Sequence, residues 1–189
     1  MKRLVFKKVS KSFEDVKVLS EFSLELEEGK AYAIMAPSGA GKTTLARLAM
    51  GLEKADFGEV TNDFDCISAV FQEDRLQECF SALANLTLVS SKKNFARAED
   101  LLARLELGDS STKKVSELSG GMKRRVAIAR ALYHDYDLLI LDEPFKGLDQ
   151  ELKSKVIEVI KAETVGKTVL LITHEKAEAE AFGAKVIEL

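Results

Sequence analysis

The segment APSGAGKTT at residues 36–44 combines glycine, lysine and hydroxyl residues at a spacing that suits phosphate binding. Gly39 and Gly41 let the backbone pass close to phosphate oxygens, and successive N–H groups can then point into one concavity. The helix expected to begin near Lys42 adds the partial positive charge of its N-terminus. We expect Lys42 to reach the β- and γ-phosphates of a nucleotide, the hydroxyl of Thr43 to bind Mg²⁺ and Thr44 to contact the α-phosphate. The predicted nucleotide-binding residues of this loop are Ser38, Gly39, Ala40, Gly41, Lys42, Thr43 and Thr44.

Ala36 departs from the usual form of this motif, which has glycine at that position. If the position needs a positive φ, alanine costs about 1 kcal/mol or more there. Because Ala36 is expected at the end of the preceding strand, away from the phosphate-binding residues GAGKT, we expect it to be tolerated.

An acidic pair follows the apolar run LLIL at residues 138–141. Asp142, at the tip of that expected strand, is predicted to hold Mg²⁺, and Glu143 to polarise the attacking water as a general base. An acidic pair after a strand can also be a plain surface turn. The glycine-rich loop earlier in the chain favours the catalytic interpretation.

The segment LSGGM at residues 118–122 is the most distinctive part of the chain. Ser119, Gly120 and Gly121 are expected to open a helix, so that free N–H groups and a hydroxyl point outward as a phosphate contact requires. A capped helix with flexible glycines is the plainer alternative. LSGGM followed by KRRVAIARAL resembles the signature of ATP-binding-cassette (ABC) proteins, LSGGQ-x-x-R-x-x-[IL]-A-R-A. Met122 stands where that signature has glutamine.

The resemblance covers residues 13–189 and implies further catalytic residues. Gln72, in VFQEDRL, matches the glutamine loop, which links Mg²⁺ and the attacking water to a membrane partner. His174, in LLITHE, matches the switch histidine that faces the γ-phosphate. The catalytic set that the resemblance implies is Glu143, His174 and Gln72, and the metal-binding set is Thr43, Gln72 and Asp142.

The resemblance also implies contacts to the nucleotide from both ends of the chain. Phe13 matches the aromatic residue that stacks on adenine, with Val18 beside it, although Phe13 could also be a simple core residue. Asp149, in KGLD, matches the loop that bridges two subunits. Lys146 and Gly147 stand where the family has serine and alanine.

Membership of this family implies an ATPase that uses ATP and Mg²⁺ and works as a head-to-tail homodimer. Each ATP is held by the phosphate loop of one subunit and covered by Ser119, Gly120 and Gly121 of the other. ATP binding closes the dimer, and hydrolysis reopens it and drives separate membrane permease subunits. The expected location is the cytoplasm, peripheral on the inner face of the cell membrane. The stretch VFQEDRL and the compact size resemble the ATPases of nitrate, sulfonate and thiamine-precursor importers.

Other roles remain open at this stage. A non-transport ABC ATPase of a membrane complex, such as a division-type scaffold, shares these motifs. A nucleotide-binding subunit of weak activity is a further alternative, suggested by Ala36 and Met122, whereas Glu143 and His174 argue against it.

Composition excludes some classes of partner. The chain has 189 residues and a formal net charge of −3, so it lacks the basic surplus that a sequence-independent nucleic-acid binder needs. No apolar run approaches the ~20 residues that span a bilayer, so we expect no direct membrane insertion. The short basic run Lys123, Arg124 and Arg125 is interpreted as one face of a helix. Cys66 and Cys79 fit no zinc spacing and are expected to be reduced thiols.

The pattern of elements predicts an α/β fold. Strands are expected at 4–9, 22–26, 31–35, 67–71, 138–141, 169–173 and 185–189, and helices at 42–52, 95–107, 119–132, 150–162 and 175–182. Apolar strands that alternate with helices imply a mainly parallel sheet, preceded by N-terminal antiparallel strands. We therefore predict one nucleotide-binding domain over 1–189, a P-loop NTPase core with a helical subdomain inserted at about 76–118.

Overall fold

Strands and helices alternate along most of the chain, whose computed structural model describes residues 1–14, 16–35, 40–90 and 92–189. In chain order the elements are β1 (Arg3–Phe13), β2 (Val16–Glu27), β3 (Ala31–Met35), α1 (Lys42–Ala49), β4 (Phe57–Asn62), β5 (Ile67–Val70), α2 (Ala82–Thr87), α3 (Phe95–Arg104), α4 (Gly120–Tyr133), β6 (Leu138–Asp142), α5 (Gln150–Glu163), β7 (Thr168–Thr173), α6 (Lys176–Ala181) and β8 (Lys185–Glu188). Short 3₁₀ turns at Gly108–Ser110 and Val115–Glu117 lie between α3 and α4. The mixed α/β class predicted from the sequence is confirmed.

An antiparallel sheet is formed by β2, β1 and β4, in that order. β1 pairs with β2 so that Leu4 lies opposite Leu26, and the rings of Phe6 and Phe22 meet edge to face with their centroids 5.8 Å apart. The predicted strands at 4–9 and 22–26 are therefore the first part of β1 and the last part of β2, and both strands are longer than predicted. β4 was not predicted, because FGEVTN is mostly exposed and lacks an alternating apolar pattern.

The second sheet has the strand order β5-β6-β7-β3-β8. β7 pairs in parallel with both β6 and β3, and β3 also pairs in parallel with β8. All residues of β6 and β7 are buried, as expected for strands covered on both faces. Because the carboxyl ends of parallel strands share one edge of a sheet, the last residues of β3, β6 and β7 lie at the same edge.

The chain forms two compact units. The first unit comprises Met1–Ile67, Asp137–Asp142 and Gly166–Leu189, and it contains the antiparallel sheet and most of the parallel strands. The second unit comprises Ser68–Tyr136 and Glu143–Val165, and it contains α2, α3, α4 and α5. The predicted helical subdomain at about 76–118 falls within the second unit. Of the residues described in that stretch, which omits residue 91, only those of α2, α3 and the 3₁₀ turns are helical. A single domain with an inserted subdomain stays a prediction.

The helices of the second unit begin and bury their apolar faces as the sequence pattern indicates. In α3, Ala98, Leu101 and Leu102 are fully buried, and Asn94 caps the helix by accepting a hydrogen bond from the N–H of Arg97 at 3.1 Å. Among the described residues, none of the helices has both the length and the apolar composition needed to cross a bilayer.

Candidate functional site

The first unit presents the second half of the predicted phosphate loop at the start of α1. Ala36, Ser38 and Gly39 lie outside the described residues, whereas Gly41 directly precedes the helix with a φ of 87°. α1 begins at Lys42, as predicted, so the first N–H groups of the helix have no acceptors within it. Lys42 and Thr44 are buried, with 6% and 9% of their surface exposed. A helix start with these features is suited to binding an anion.

Thr43 and Asp142 meet directly, although they are 99 residues apart in the chain. The hydroxyl of Thr43 donates a hydrogen bond of 2.9 Å to Oδ2 of Asp142, which ends β6 and is 2% exposed. A hydroxyl and a carboxylate at this separation suit a hard cation that the hydroxyl binds directly and the carboxylate binds directly or through a water molecule. Within the described residues no cluster of three or more acidic, histidine or cysteine side chains could hold a metal. The hydroxyl and carboxylate of this pair are oxygen groups that fit Mg²⁺, which keeps several waters and takes its other ligands from phosphates.

Val18 and Phe13, the two residues predicted to receive adenine, have different surroundings. A Cβ placed on Gly41 would lie 2.7 Å from Cγ1 of Val18, so Val18 packs directly against the phosphate loop. Phe13 is 40% exposed, and the ammonium of Lys11 lies 5.2 Å from its ring centroid. An aromatic ring with this much exposed surface is not a core residue, and it is available for stacking. The role of Phe13 and Val18 in binding adenine stays a prediction.

Replacing Gly41 by alanine is expected to destabilise the protein by about 2–4 kcal/mol, because a positive φ and a steric overlap act together. The added Cβ would lie 2.7 Å from Val18 Cγ1 and 3.0 Å from the Val18 carbonyl oxygen. Gly29→Ala is the matched control, since Gly29 has a φ of 75° but an added Cβ there would meet no atom within 4 Å. We expect it to cost only about 1 kcal/mol and to leave ATP affinity unchanged. Thermal unfolding and ATP titration of both variants test this, and equal destabilisation would contradict the close approach.

His174 follows β7 at the carboxyl edge of the parallel sheet and is exposed. Thr173, the last residue of β7, fixes the backbone beyond it. Its hydroxyl accepts a 3.0 Å hydrogen bond from the N–H of Glu175 and donates one of 2.5 Å to the buried carboxylate of Glu178. His174 is therefore held between a buried strand and a hydrogen-bonded turn, at the same edge of the sheet as Asp142.

In the second unit, Glu143 has an unusual backbone conformation. Its φ is 46°, in the left-handed region that residues with a side chain rarely adopt. Such outliers persist only where surrounding contacts hold them, and they cluster at functional sites. Gln72, which follows β5, is exposed, and its carbonyl oxygen accepts a hydrogen bond of 3.4 Å from Nη1 of Arg124.

The predicted signature also lies in the second unit, at the start of α4. Ser119 is the N-cap, and its hydroxyl accepts a hydrogen bond of 3.3 Å from the N–H of Met122. A Cβ on Gly120 would meet no atom within 4 Å, whereas one on Gly121 would lie 3.6 Å from the carbonyl oxygen of Gly147. Ser119 and Gly120 are exposed. This helix start therefore offers open N–H groups and a hydroxyl, as the sequence predicts.

Asp149 and Arg124 have contacts that the sequence analysis missed. Asp149 is the N-cap of α5, where Oδ1 accepts a hydrogen bond of 3.0 Å from the N–H of Leu152. An acidic residue just before an amphipathic helix is a signal that could have revealed this cap. The basic run Lys123, Arg124 and Arg125 was interpreted as one face of a helix, and that is wrong. Consecutive residues of a helix lie about 100° apart, and the structure buries Arg124 and Arg125 at 4% and 8% exposure.

Comparison with protein families and solved structures shows what the chain as a whole resembles. Residues 19–146, more than half of the chain, match the family model described as "ABC transporter". The dimeric structure of the ABC transporter cassette MJ0796 is similar, with a TM-score of 0.88, 31% identity, and coverage of 98% of this chain and 94% of that one. A post-hydrolysis dimer of the same cassette, bound to ADP and phosphate, gives 30% identity and the same TM-score of 0.88. The predicted P-loop NTPase fold is therefore confirmed.

Curated relatives give a consistent result. The chain is 34% identical to the spermidine/putrescine import ATP-binding protein PotA of Thermotoga maritima, with coverage of 95% of the chain and 54% of the relative. It is 36% identical to the Nod factor export ATP-binding protein I of Rhizobium etli, over 95% of the chain and 63% of the relative. It is 35% identical to the aliphatic sulfonates import ATP-binding protein SsuB of Cupriavidus necator, over 96% of the chain and 64% of the relative. The chain thus spans little more than half to just under two thirds of the length of these relatives.

Proposed function

Because this chain belongs to the ABC transporter family, we propose that it is an ATP-hydrolysing subunit that powers transport through a separate membrane permease. The observation that carries the proposal lies in the first unit. Lys42 is buried at the start of α1, and the next residue, Thr43, donates a hydrogen bond of 2.9 Å to Asp142. A nucleoside triphosphate requires N–H donors for its phosphates and oxygen ligands for its Mg²⁺. The start of α1 and the oxygen pair of Thr43 and Asp142 are suited to provide both.

Each site residue has a distinct role in the proposed reaction. Lys42 neutralises charge on the β- and γ-phosphates, and the N–H groups at the start of α1 bind phosphate oxygens. Glu143 accepts a proton from the attacking water, whose oxygen bonds to the γ-phosphorus while the bond to the β–γ bridging oxygen breaks. The products are ADP and inorganic phosphate. His174 contacts the γ-phosphate, and Gln72 orients the water. Phe13 and Val18 receive the adenine.

Magnesium supplies charge neutralisation at the phosphates when it is bound. Thr43 and Asp142 are the residues that would hold it, Asp142 through water, and Gln72 is an additional candidate ligand. The 2.9 Å contact between the two oxygen atoms of Thr43 and Asp142 supports this assignment.

We further propose that two copies of the chain close head to tail around two ATP molecules. In this arrangement the exposed helix start at Ser119, Gly120 and Gly121 covers the γ-phosphate held by the other copy. Asp149 lies near the bridge between the copies. The two MJ0796 structures support the proposal, because both are dimeric and one was determined after hydrolysis with ADP and phosphate.

The partners and location proposed for the chain follow from its relatives. The names of these relatives refer to polyamine import, sulfonate import and Nod factor export. One kind of cassette thus serves different cargo in both directions, which fits a motor that leaves the choice of cargo to its permease. Binding to such a permease would place the chain on the cytoplasmic face of the membrane as a peripheral subunit.

Replacing Ser119 by arginine is expected to block closure of the ATP dimer. An arginine at the exposed start of α4 adds bulk and charge where the other copy must approach. Since each 1.4 kcal/mol of lost closing free energy is about tenfold in the equilibrium constant, ATP turnover should fall by at least about tenfold. Static light scattering with Mg·ATP, in a chain that also carries Glu143→Gln so that ATP is not consumed, measures the dimer directly.

Ser154→Arg is the matched control, because Ser154 is also an exposed serine of the second unit but has no proposed role. It lies inside α5, where arginine is a good helix former, so the substitution should not disturb the fold. We expect this control to dimerise like the parent protein. If Ser119→Arg also dimerises normally with ATP, the shared-site arrangement is contradicted.

A further inference from the structure

Arg124 is a buried arginine whose side chain reaches the loop that follows β5. Nη1 of Arg124 donates hydrogen bonds to the carbonyl oxygens of Phe71 at 2.5 Å and of Gln72 at 3.4 Å. The same nitrogen lies 3.0 Å from a carboxylate oxygen of Asp74. Arg124 is 4% exposed, so these contacts form away from water, where charge-assisted hydrogen bonds are strongest. A residue of the signature helix α4 thus fixes the backbone at Gln72.

The other side of the guanidinium reaches the backbone at Glu143. Nη2 of Arg124 donates to the carbonyl oxygen of Glu143 at 2.7 Å, and Nε donates to that of Pro144 at 2.8 Å. Glu143 has a φ of 46°, a conformation that is unfavourable for a residue with a side chain. Hydrogen bonds to two consecutive carbonyl groups fix the peptide planes that follow this strained residue. They thereby set the direction in which the Glu143 side chain leaves the backbone.

A second arginine of α4 holds the same loop. Arg130 donates to the carbonyl oxygens of Arg75 at 2.8 Å and of Asp74 at 3.0 Å. The guanidinium of Arg75 lies 4.0 Å from the ring centroid of Phe71. The loop at 71–75 is therefore attached to α4 through both Arg124 and Arg130. Arg124 also contacts the segment that carries Glu143.

Burial of an arginine does not by itself produce this link. Arg125, the next residue, is also buried at 8% exposure. Its Nη1 donates to the carbonyl oxygens of Leu105 at 2.7 Å and of Glu106 at 3.0 Å, where we assign no catalytic residue. Nε of Arg125 donates to the carbonyl oxygen of Gly121 at 3.3 Å, within α4 itself. The two neighbouring buried arginines thus bind different segments, and those that Arg124 binds carry Gln72 and Glu143, which have proposed catalytic roles.

We infer that Arg124 is a positioning residue for ATP hydrolysis. It holds the backbone of Gln72 and of Glu143 in fixed positions relative to the helix that begins at the signature. The inference rests on the proposed function, since it takes Glu143 as the general base and Gln72 as the residue that orients water. The phosphate loop and the Thr43–Asp142 pair, which bind ATP and Mg²⁺ in the proposed function, belong to the first unit, whereas Arg124 belongs to the second. We therefore expect loss of Arg124 to act mainly on the rate of the chemical step.

Arg124→Lys tests the inference. Lysine keeps the positive charge and can retain an ion pair with Asp74, but its single ammonium cannot reproduce the fork that reaches both segments. Since a small misplacement of a catalytic group costs up to about 100-fold, we expect kcat to fall by about tenfold or more. The KM for ATP and the Kd of a non-hydrolysable ATP analogue should stay within about threefold of the parent values. The substitution leaves in place the contacts that hold ATP equally in the ground state and in the transition state.

Arg104→Lys is the matched control. Arg104 belongs to the same unit and forms an ion pair of 2.5 Å with Glu163, but none of its ion-pair partners has a proposed catalytic role. We expect the control to keep the parent kcat. Turnover is expressed per ATP-binding site, counted by titration with the analogue, so that unfolded chains do not enter the rate.

Two outcomes overturn the inference: an Arg124→Lys variant with the parent kcat per binding site, or one whose KM and Kd rise in step with the loss of kcat. The Glu143→Gln variant separates this failure from a failure of the proposed function. If Glu143→Gln hydrolyses ATP normally, Glu143 is not the general base, and the proposed function on which the role of Arg124 rests is contradicted. If Glu143→Gln is inactive while Arg124→Lys retains the parent kcat, only the role of Arg124 is contradicted.

Discussion

Replacing Lys42 by alanine is expected to abolish ATP binding at micromolar protein concentration. Lys42 begins α1 and is 6% exposed, so its aliphatic stem is already ordered before a phosphate arrives. Hydrogen bonds to charged groups contribute about 1.5–3 kcal/mol each. Two such bonds, to the β- and γ-phosphates, make the expected loss of affinity at least about 100-fold. Isothermal titration with ATP and Mg²⁺ measures this loss.

Lys153→Ala is the control for Lys42→Ala. Lys153 lies in α5 and is also buried, at 8% exposure, but it has no proposed role in binding a nucleotide. Both variants remove a buried lysine, so a general loss of stability should affect them similarly in a thermal melt. If Lys42→Ala binds ATP within a few-fold of the parent protein, the assignment of the phosphate loop is contradicted. If both variants lose binding, unfolding rather than the phosphate contact explains the result.

The sequence predicts those parts of the site in which the functional groups and the residues that position them are close together in the chain. Gly41 directly precedes α1, and Lys42 and Thr43 begin it, so that one short segment contains both the groups proposed to bind phosphate and the reason for their placement. The same holds for Ser119, where the hydroxyl that caps the helix is also the one proposed to contact the nucleotide. Asp142 ends a strand that is buried over its whole length, and a parallel sheet brings such an end to the edge where α1 begins.

Other parts depend on contacts between distant segments, and no local pattern reveals them. β4 is exposed along most of its length, so the apolar alternation that marks a half-buried strand is missing. The carbonyl oxygens that Arg124 binds lie 20 and 53 residues away from it in the chain. A basic run typically indicates a solvated face. Here only the fold shows that two of its three cations are turned toward buried carbonyl groups.

Replacing Glu143 by glutamine is expected to stop hydrolysis while ATP binding persists. Glutamine has the same shape as glutamate and can occupy the same backbone conformation, with its φ of 46° and the hydrogen bond from Arg124 to its carbonyl oxygen. The substitution therefore removes little except the ability to accept a proton from water. General base catalysis contributes about 100- to 10,000-fold, and we expect kcat to fall by that factor. Steady-state phosphate release measures the change.

The same variant is expected to accumulate as an ATP dimer, because the step that reopens the dimer is blocked. Light scattering with Mg·ATP should show a shift from monomer to dimer, and the shift should be absent with Mg·ADP. Glu158→Gln is the control, since Glu158 is an exposed carboxylate of the same unit whose partner is Lys161, and it should hydrolyse ATP at the parent rate. Continued hydrolysis by Glu143→Gln would remove Glu143 as the base. Loss of hydrolysis with ATP bound to a monomer would place the defect in closure of the dimer. The next residues to replace by those of the family pattern would then be Met122, Lys146 and Gly147.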